Sequence, residues 1–552
     1  MEGPERGAAE NECKEPVHWL DKLASDVEEF LKGRGKSVYV FNGGLSVSGL
    51  QHIGRLRGEI LIPEAVRRVL ESRGYKIRQL ITIYTQDPWK GKRAQREQFS
   101  DPQEARKYIG WPLIRVPDPK GCHDNWVEHY WADFGPYLPE FTDGKIEAVT
   151  TTELYKGVLR DFILKEILPK RKIIRDIINK YRGRKPYPEN WIPVEPICQK
   201  CGRIDTTVAL EIKDGKVRYR CRNCGYEGWR DLSEGKLNWR LEWASIWRVL
   251  DVDFEPYGKD HATPGGSRDS CVDLARNALG FEPPTGEWYE WVSIREKGRS
   301  ADMSSSGFTG ITPREWLEVA HPQILRFLYF YTHPHKKVVV DLNSIPNYYD
   351  QYYRAERVYF GLEEVEDCWE REYLRRTYEL SHPRDPPSSL PIQVPYLHAS
   401  ILAQLLGPEN LEAAIERLRR TGHVKGSMDS YSRLWLEGLL KKSYTWVMKY
   451  GPEQARVEIL EELDPNLLAS LRYRDILCRL ATMLEGLEEW NENLIKDTMI
   501  EATRDLTGRE RREFYKEFYK LFTGKPYGPR AAPLLSLLPK EFVVTRLSQA
   551  CK

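Results

Sequence analysis

Hydrophobic and polar positions in the first part of the chain follow the order strand, turn, helix, strand. The β-rich run Ser37 to Phe41 ends at the turn sequence Asn42-Gly43-Gly44, and a helical pattern extends from Leu56 to Leu70. A second apolar run, Ile77 to Tyr84, comes next. This βαβ order predicts a parallel sheet with a nucleotide-binding crevice at the carboxyl ends of its strands.

Helical patterns dominate the later part of the chain. Residues 153–184 have a helical pattern, Pro186 to Pro196 is interpreted as a linker, and longer amphipathic helices follow from about residue 320. Two of these helices have apolar stripes that stop at Gly451-Pro452 and at Gly524. We therefore expect an α/β front half that carries an insertion, and an all-helical back half.

The composition is that of an ordinary globular protein. Charged residues make up 30% and hydrophobic residues 41% of the 552 positions, and the net charge is +2. These values exclude a disordered chain and a polycationic tail binder, but they permit a local basic surface. No stretch has the roughly 18 consecutive apolar residues of a membrane span. The polar N-terminal sequence has no apolar signal-peptide region, so we expect a cytoplasmic protein.

Four of the ten cysteines form a spaced cluster, Cys198-x-x-Cys201 and Cys221-x-x-Cys224. A glycine follows each pair, and the segment between the pairs predicts a hairpin with its turn at Asp214-Gly215. This spacing is typical of a zinc ribbon, whose four thiolates close the coordination sphere of a structural Zn²⁺. The alternatives are a coincidence or a redox pair. The other six cysteines are interpreted as ordinary thiols: Cys13, Cys122, Cys271, Cys368, Cys478 and Cys551.

Two segments have the chemistry of phosphate contacts. Ser48 to Gly54 does not match the G-x-G-x-x-G pattern, but His52 at a helix start can donate to phosphate oxygens, and Gly54 leaves room for a nucleotide. The alternative is a strand–helix turn with an incidental histidine. Asp302 to Gly307 is a loop of small hydroxyl residues that suits phosphate binding. Three cations precede this loop: Arg295, Lys297 and Arg299.

These segments resemble the two signatures of class I aminoacyl-tRNA synthetases. His52-Ile-Gly-Arg55 is similar to the HIGH signature, and Met303-Ser-Ser-Ser306 is similar to the core of the KMSKS loop. The resemblance narrows to class I lysyl-tRNA synthetases of the archaeal type and extends from about Val17 to Arg546. The segments that carry it are Val116–His123, Glu128-His129, Trp239–Trp243, Val252–His261, Tyr289–Val292, Arg357–Gly361 and Gly528–Arg530.

The chain departs from the family pattern at both signatures. Arg55 stands where the family usually has Asn, and Asp302 and Gly307 occupy the two lysine positions of the second signature. The family's Thr-Pro-Ser-Gly run reads Ser46-Val-Ser-Gly49 here. A leaving pyrophosphate needs cations, so we expect other residues to replace the missing lysines. The candidates are Arg55, Lys297 and Arg299.

The resemblance implies a lysine--tRNA ligase. Its substrates are ATP with Mg²⁺, L-lysine and tRNA(Lys), with neither a membrane nor DNA as a partner. The implied catalytic residues are His52, Ser304 and Ser306. The implied ATP-binding residues are Ser48, Gly49, His52, Gly54, Arg55, Gly258, Asp260, Met303, Ser304, Ser305 and Ser306. The implied lysine-binding residues are Gly44, Ser46, Trp239, Glu242, His261 and Tyr289.

Some assignments within the lysine pocket stay open. Glu242 and Glu290 are both candidate carboxylates for the lysine ammonium group, and the sequence does not distinguish them. The aromatic residues Trp239 and Tyr289 line a lysine stem in the family, but single aromatic residues are usually core residues.

The implied fold is an α/β class I synthetase with a Rossmann-type nucleotide-binding domain, a zinc-ribbon-containing insertion and an all-α C-terminal anticodon-binding domain. The expected boundaries are 1–36 for an N-terminal extension, 37–160 and 236–320 for the catalytic domain, 161–235 for the insertion, 321–400 for a junction region and 401–552 for the anticodon-binding domain. The basic helix around 165–184 either faces the tRNA acceptor stem or is a solvated surface. Possible anticodon contacts are Tyr519, Tyr527 and Arg530.

Two other functions are compatible with these residues. The first is a class I synthetase for another amino acid, most plausibly glutamate, because the two families have similar helical anticodon domains. The second is a degenerate, non-enzymatic tRNA-binding protein, since both lysines of the second signature are missing.

Overall fold

The computed structural model describes residues 18–296, 298–424 and 426–551. They form two units. The first contains the described residues up to Glu315, with Leu325–Val340 and Glu364–Asp385. The second contains Trp316–Ile324, Asp341–Glu363 and the described residues from Pro386 onward.

Strands lie in the first three fifths of the described chain, and helices lie throughout it. The strands are β1 Tyr39–Leu45, β2 Ile77–Ile83, β3 Ile146–Thr150, β4 Val194–Pro196, β5 Thr207–Lys213, β6 Lys216–Cys221, β7 Glu227–Asp231, β8 Gly235–Leu237, β9 Tyr257–Gly258, β10 Trp288–Tyr289, β11 Val292–Glu296, β12 Arg299–Asp302 and β13 Val338–Asp341. The α-helices are α1 Trp19–Arg34, α2 Ile62–Ser72, α3 Arg93–Arg96, α4 Trp126–Trp131, α5 Leu138–Phe141, α6 Thr151–Lys156, α7 Val158–Phe162, α8 Arg171–Lys180, α9 Trp239–Val249, α10 Ser267–Asp273, α11 Pro313–Leu317, α12 Pro322–Tyr331, α13 Ile345–Tyr359, α14 Cys368–Ser381, α15 Tyr396–Leu406, α16 Leu411–Arg420, α17 Ser430–Lys449, α18 Pro465–Ser470, α19 Arg474–Glu485, α20 Glu492–Ala502, α21 Gly508–Thr523, α22 Ala531–Leu537 and α23 Lys540–Ser548.

The first unit contains the predicted parallel sheet. Its strand order is β1-β2-β3, with Tyr39 opposite Ile77 and Ile83 opposite Thr150. The helical crossover between β1 and β2 begins as a π-helix at Leu56–Leu61 and continues as α2. The βαβ prediction is therefore confirmed, and the segments after the carboxyl ends of β1 and β2 lie at one edge of the sheet.

The predicted end of β1 is wrong. The strand does not stop at Asn42-Gly43-Gly44 but continues to Leu45. A Cβ at Gly43 would overlap the main-chain carbonyl of Glu59 in the π-helix. Glycine therefore serves here to let a strand and a helix approach closely rather than to make a turn.

The predicted helix over 153–184 is broken into shorter pieces. Gly157 has φ −124° and ψ −112°, which are not helical and separate α6 from α7. A second π-helix, Ile163–Ile167, then precedes α8. The pieces still pack together around a core under the sheet. Its buried members include Leu80, Tyr155, Leu159, Ile174, Ile178, Trp247 and Leu274.

The insertion contains an antiparallel three-stranded sheet in the order β5-β6-β7. The turn between β5 and β6 has Asp214 at φ 52° and Gly215 at φ 71°, which confirms the predicted hairpin. A second pairing, β4 with β8, is antiparallel.

The second unit has a helical C-terminal part built from α15 to α23. Helix α21 begins with a capping box between Thr507 and Glu510 and ends at Gly524, whose φ of 70° gives the left-handed cap expected from the sequence. Among the described residues, no helix combines the length and the apolar character that crossing a membrane requires.

The interpretation of the scattered cysteines as ordinary thiols is wrong in part. Cys478 of α19 and Cys551 form a disulfide across 73 residues of sequence. Cys368 is also disulfide-bonded. Cys122 and Cys271 are free, and Cys13 lies outside the described residues.

Candidate active site

The first signature segment connects β1 to the π-helix and is largely buried. The Ile53 N–H donates to the Ile311 carbonyl over 2.8 Å, which ties this segment to the residues that follow the second signature loop. The His52 side chain is 7% exposed, and its Nδ1 atom has no hydrogen-bond partner in the described chain. A Cβ at Gly54 would lie 2.9 Å from Nδ1 of His52, so glycine at this position leaves space for the imidazole ring.

Burial also determines the charge of His52. Burial, assisted by the positive charge of Arg55, lowers the pKa of the imidazole to about 3. His52 is therefore neutral near pH 7. It offers phosphate oxygens a hydrogen bond rather than a positive charge.

The second signature loop follows the β11–β12 hairpin and packs against the first signature. The Met303 N–H donates to Val292, and Ser304 and Thr309 exchange main-chain hydrogen bonds of 2.9 and 3.1 Å. A Cβ at Gly49 would overlap the Ser305 carbonyl. The structure thus brings the run Ser48–Gly49 and the loop Met303–Ser306 together, as the sequence predicts.

Asp302, which replaces a signature lysine, is neutralised by other residues. Its carboxylate accepts hydrogen bonds from Ser293 Oγ at 2.6 Å and from the Lys337 ammonium group. The hydrogen bond from Lys337 lowers the pKa of Asp302 most. Its negative charge is therefore offset before phosphates enter the site.

A cation that the sequence analysis missed contacts this loop. Lys92, in the segment between β2 and α3, donates from Nζ to Ser306 Oγ over 2.8 Å. The available signal was its place soon after the carboxyl end of a parallel strand, where ligands bind in such sheets. Among the earlier candidates, Arg299 is exposed in β12, and Lys297 lies outside the described residues.

Several predicted lysine-binding residues form an aromatic group. The Trp239 and His261 ring centroids are 5.7 Å apart, and Trp243 lies 5.2 Å from His261. Gly44, in β1, faces the Tyr84 ring, with Glu255 close behind it. Ser46 directly follows β1.

Tyr289 joins this group to the helix after His52. In the β9–β10 pair it lies opposite Gly258, and the His261 N–H donates to the Gly258 carbonyl. The Tyr289 ring packs so closely on Gly58 that a Cβ there would overlap it. Asp260 lies beside Gly258, and a Cβ at that glycine would be 2.7 Å from Oδ1 of Asp260. The predicted adenosine residues Gly258 and Asp260 therefore share one short segment with the predicted lysine residue His261, and Tyr289 pairs with that segment.

Both carboxylates named from the sequence, Glu242 and Glu290, already form ion pairs with lysines of the same chain. Glu242 is buried, accepts from Tyr155 Oη at 2.6 Å and pairs with Lys236 at 2.9 Å. Glu290 pairs with Lys259 at 2.6 Å.

Glu59 is a carboxylate that the sequence analysis missed. Its Oε1 accepts from Arg55 Nη1 over 3.1 Å, whereas its buried Oε2 has no partner among the residues described. Burial raises the pKa of the Glu59 carboxyl group, although the positive charge of Arg55 opposes this shift. A signal existed in the sequence, since Glu59 lies four residues after Arg55 and one helical turn away.

The four clustered cysteines have the geometry of a metal site. The Sγ atoms of Cys198 and Cys224 are 3.7 Å apart, and those of Cys201 and Cys221 are 3.6 Å apart. Zinc–sulfur bonds of about 2.3 Å in a tetrahedron place sulfur atoms about 3.8 Å apart, so this donor set fits Zn²⁺. The glycines after both pairs adopt positive φ, which lets the backbone fold around the cluster.

A second group of possible metal ligands was not predicted. One ligand atom each from Asp118, Cys122, His123 and His129 lies within 4.8 Å of the others. Asp118 also accepts main-chain hydrogen bonds from Lys120, Cys122 and His123, which hold its carboxylate in place.

Comparisons with known proteins identify the family of this chain. A family model described as tRNA synthetases class I (K) matches residues 17–384. The lysine--tRNA ligase of Aeropyrum pernix is 60% identical over 537 residues, which is 97% of this chain and 98% of that protein. The lysine--tRNA ligase of Pyrococcus furiosus is 35% identical over 545 residues, covering 96% and 99% of the two chains. A solved glutamate tRNA ligase from Elizabethkingia meningosepticum is 12% identical, covers 93% and 99% of the two chains and gives a TM-score of 0.36, too low to support an inference.

Proposed function

The chain belongs to the class I (K) family of tRNA synthetases, and from this premise we propose that it is a lysine--tRNA ligase. It activates L-lysine with ATP to lysyl-adenylate and then transfers lysine to the 3′-terminal adenosine of tRNA(Lys). The observation that carries this proposal is the buried Oε2 atom of Glu59, which has no partner in the described chain, on a carboxylate whose other oxygen accepts from Arg55 of the first signature. A buried carboxylate oxygen needs a donor, and the ammonium group of lysine supplies one.

Glu59 is a better acceptor for the lysine ammonium group than the carboxylates named from the sequence. Glu242 and Glu290 already pair with Lys236 and Lys259. Binding lysine at either would break an internal ion pair, whereas Glu59 keeps one oxygen available. The aliphatic stem of the substrate then lies along aromatic rings. The pocket would consist of Gly44, Ser46, Glu59, Trp239, His261 and Tyr289.

Activation requires positioning rather than a side-chain nucleophile. The lysine carboxylate oxygen attacks the α-phosphorus, a new O–P bond forms, and the bond to the leaving pyrophosphate breaks. The neutral His52 donates a hydrogen bond to the phosphate as its charge develops, while Ser304 and Ser306 contact the phosphates. Mg²⁺, entering with ATP as part of the substrate, would offset the negative charge of the leaving pyrophosphate.

The adenosine part of ATP would lie along the backbone near Gly258 and Asp260. Ser48, Gly49 and Gly54 would lie beside the phosphates, with Gly54 leaving space for the His52 ring that faces them. Two cations would replace the missing signature lysines: Lys92, through its contact with Ser306, and Arg55, on the helix that follows His52. A guanidinium group can hold two phosphate oxygens at once.

We also propose that the four-cysteine cluster holds a structural Zn²⁺ in a ribbon. The mixed group of Asp118, Cys122, His123 and His129 offers donors for a second zinc ion. Replacing Cys201 with Ser should remove one zinc per chain and leave lysine-dependent activation measurable. Metal analysis of the active protein tests this, and zinc-free active protein would reject the ribbon.

The tRNA partner would contact both units. The exposed cations of α8 suit the acceptor stem, and the helical part of the second unit suits the anticodon. Tyr519 and Tyr527 make internal hydrogen bonds to Pro529 and Glu453, so their rings are held in place. Since aminoacylation serves translation, we place the enzyme in the cytoplasm.

Amino-acid-dependent ATP–pyrophosphate exchange, with and without tRNA, tests the proposed function. We expect exchange with lysine. Exchange with glutamate but not with lysine would contradict the substrate assignment. Binding of tRNA(Lys) without any lysyl-adenylate from Mg-ATP would favour the non-enzymatic tRNA-binding protein.

A further inference from the structure

Two histidines and a glutamate converge in the helical part of the second unit. His398 lies in the first turn of α15, His423 follows α16, and Glu492 is the first residue of α20. One ligand atom from each lies within 4.8 Å of the others. The Nδ1 atom of His398 is 3.8 Å from Oε2 of Glu492, and the two imidazole centroids are 4.4 Å apart. Three metal-ligating side chains from three separate segments thus face one point.

His398 supplies an independent reason to expect a ligand there. Its side chain is 3% exposed, and neither Nδ1 nor Nε2 has a hydrogen-bond partner in the described residues. Buried polar atoms are nearly always satisfied, because an unsatisfied one loses its hydration without compensation. Contact between the rings of His398 and His423 does not satisfy these nitrogens.

His423 is already oriented for coordination. Its Nδ1 atom lies 2.9 Å from the Thr421 hydroxyl oxygen, which holds the ring and leaves Nε2 as the ligating atom. Metal-binding histidines are commonly held in this way through their second nitrogen.

We propose that His398, His423 and Glu492 bind one Zn²⁺ ion, with water completing a tetrahedral site. Zinc bonds of about 2.0–2.2 Å place neighbouring ligand atoms about 3.4 Å apart, so the 3.8 Å separation of His398 and Glu492 must shorten by roughly half an ångström. Two imidazoles and one carboxylate are a known zinc donor set.

The ligand types select the metal. Arg530 and Lys496 are the cations whose charges act on Glu492, and they oppose every divalent cation alike. Mg²⁺ and Ca²⁺ prefer oxygen ligands, of which this group offers only one carboxylate. Coordination by imidazole nitrogen favours Zn²⁺ instead. The ion would connect α15, the segment after α16 and α20, and so stabilise the packing of the helical part.

Zinc content of the full-length protein tests the proposal. The parent, His423→Ala and Glu492→Gln are equilibrated in the same zinc-buffered solution, and the zinc bound per chain is measured by mass spectrometry. His423 and Glu492 are only half-buried, so these variants should fold, and circular dichroism checks that they do. Glu488→Gln is the matched control, because Glu488 is exposed and lies outside all three candidate metal groups.

We expect both variants to bind one zinc ion fewer than the parent, while Glu488→Gln binds the same number as the parent. The two other metal groups stay loaded in every sample, so only the difference between samples matters. If folded His423→Ala or folded Glu492→Gln keeps the zinc content of the parent, the proposed site is wrong. This result would leave the proposed ligase activity untouched, since that activity is measured separately by pyrophosphate exchange.

Discussion

The two signature segments of the active site differ in how the rest of the protein holds them. The segment around His52 is buried, and its histidine and glycine are fixed by close packing. In the second loop, Met303 and Ser305 are buried, whereas Gly307 is exposed and Ser304 and Ser306 are partly exposed. In this loop the buried Met303 keeps the family pattern, whereas the two positions that lack the lysine, Asp302 and Gly307, are half-buried and exposed.

This difference shows which parts of a catalytic site can move to another segment. A donor that needs exact placement depends on its packing, so His52 has no obvious substitute. A cation needs only to reach the phosphates, and long flexible side chains from elsewhere can do that. Lys92 reaches Ser306 from the segment after β2, as this argument requires.

The largest effect is expected at the buried segment. His52→Ala should lower the rate of lysyl-adenylate formation by about 100-fold or more, the usual loss when one transition-state donor is removed. ATP–pyrophosphate exchange measures this rate, and the lysine dependence should change little. If the variant forms lysyl-adenylate at the rate of the parent, His52 has no catalytic role.

A smaller effect, on affinity, is expected from Glu59→Gln. It removes a charged acceptor worth about 1.5–3 kcal/mol, so the KM for lysine should rise roughly 10- to 100-fold with a lesser change in kcat. Glu140→Gln, an exposed glutamate on α5, is the matched control. An unchanged KM would mean that Glu59 does not bind the lysine ammonium group, and Glu242 and Glu290 would again be the candidates.

The substitution Lys92→Ala tests whether a cation from another segment acts at the second signature loop. We expect the activation rate to fall about tenfold while lysine affinity stays nearly constant, because the cation acts on the phosphates and not on lysine. Lys90→Ala, an exposed lysine two residues earlier, should behave like the parent. Equal rates for the two variants would show that Lys92 does not replace a signature lysine.

The smallest effect is expected for Arg55→Ala, which should improve lysine affinity but lower the activation rate. Removing the guanidinium group frees Oε1 of Glu59, so lysine affinity should improve about 1.5- to 2-fold, in line with the modest strength of an i,i+4 ion pair. The activation rate should fall, since a phosphate cation is lost. Separate measurements of KM and kcat decide this, and a change of both in the unfavourable direction would contradict the competition for Glu59.

Local patterns predicted the fold well because they report local structure. The βαβ order and the hairpin between the cysteine pairs follow from periodicity, turn residues and spacing within short segments. The end of β1 was predicted wrongly because Gly43 is needed for close contact with the backbone of Glu59, sixteen positions away. The sequence around Gly43 does not reveal that contact.

The parts of the site that were not predicted depend on tertiary contacts. Glu59 becomes a candidate only once Glu242 is seen to pair with Lys236, and Lys92 only once the fold brings it to Ser306. The disulfide between Cys478 and Cys551 joins positions 73 residues apart, a distance at which sequence spacing carries no information.

The π-helix at Leu56–Leu61 has a consequence for how this family can change in length. A π-turn holds one residue more than an α-turn, so it is equivalent to a single inserted residue. Deleting one residue between Leu56 and Leu61 would restore an ordinary α-turn and rotate Glu59 by about 100° relative to α2. The carboxylate would then leave the proposed lysine pocket although every residue type there was retained. The position of this carboxylate therefore depends on the number of residues in the helix as well as on their types.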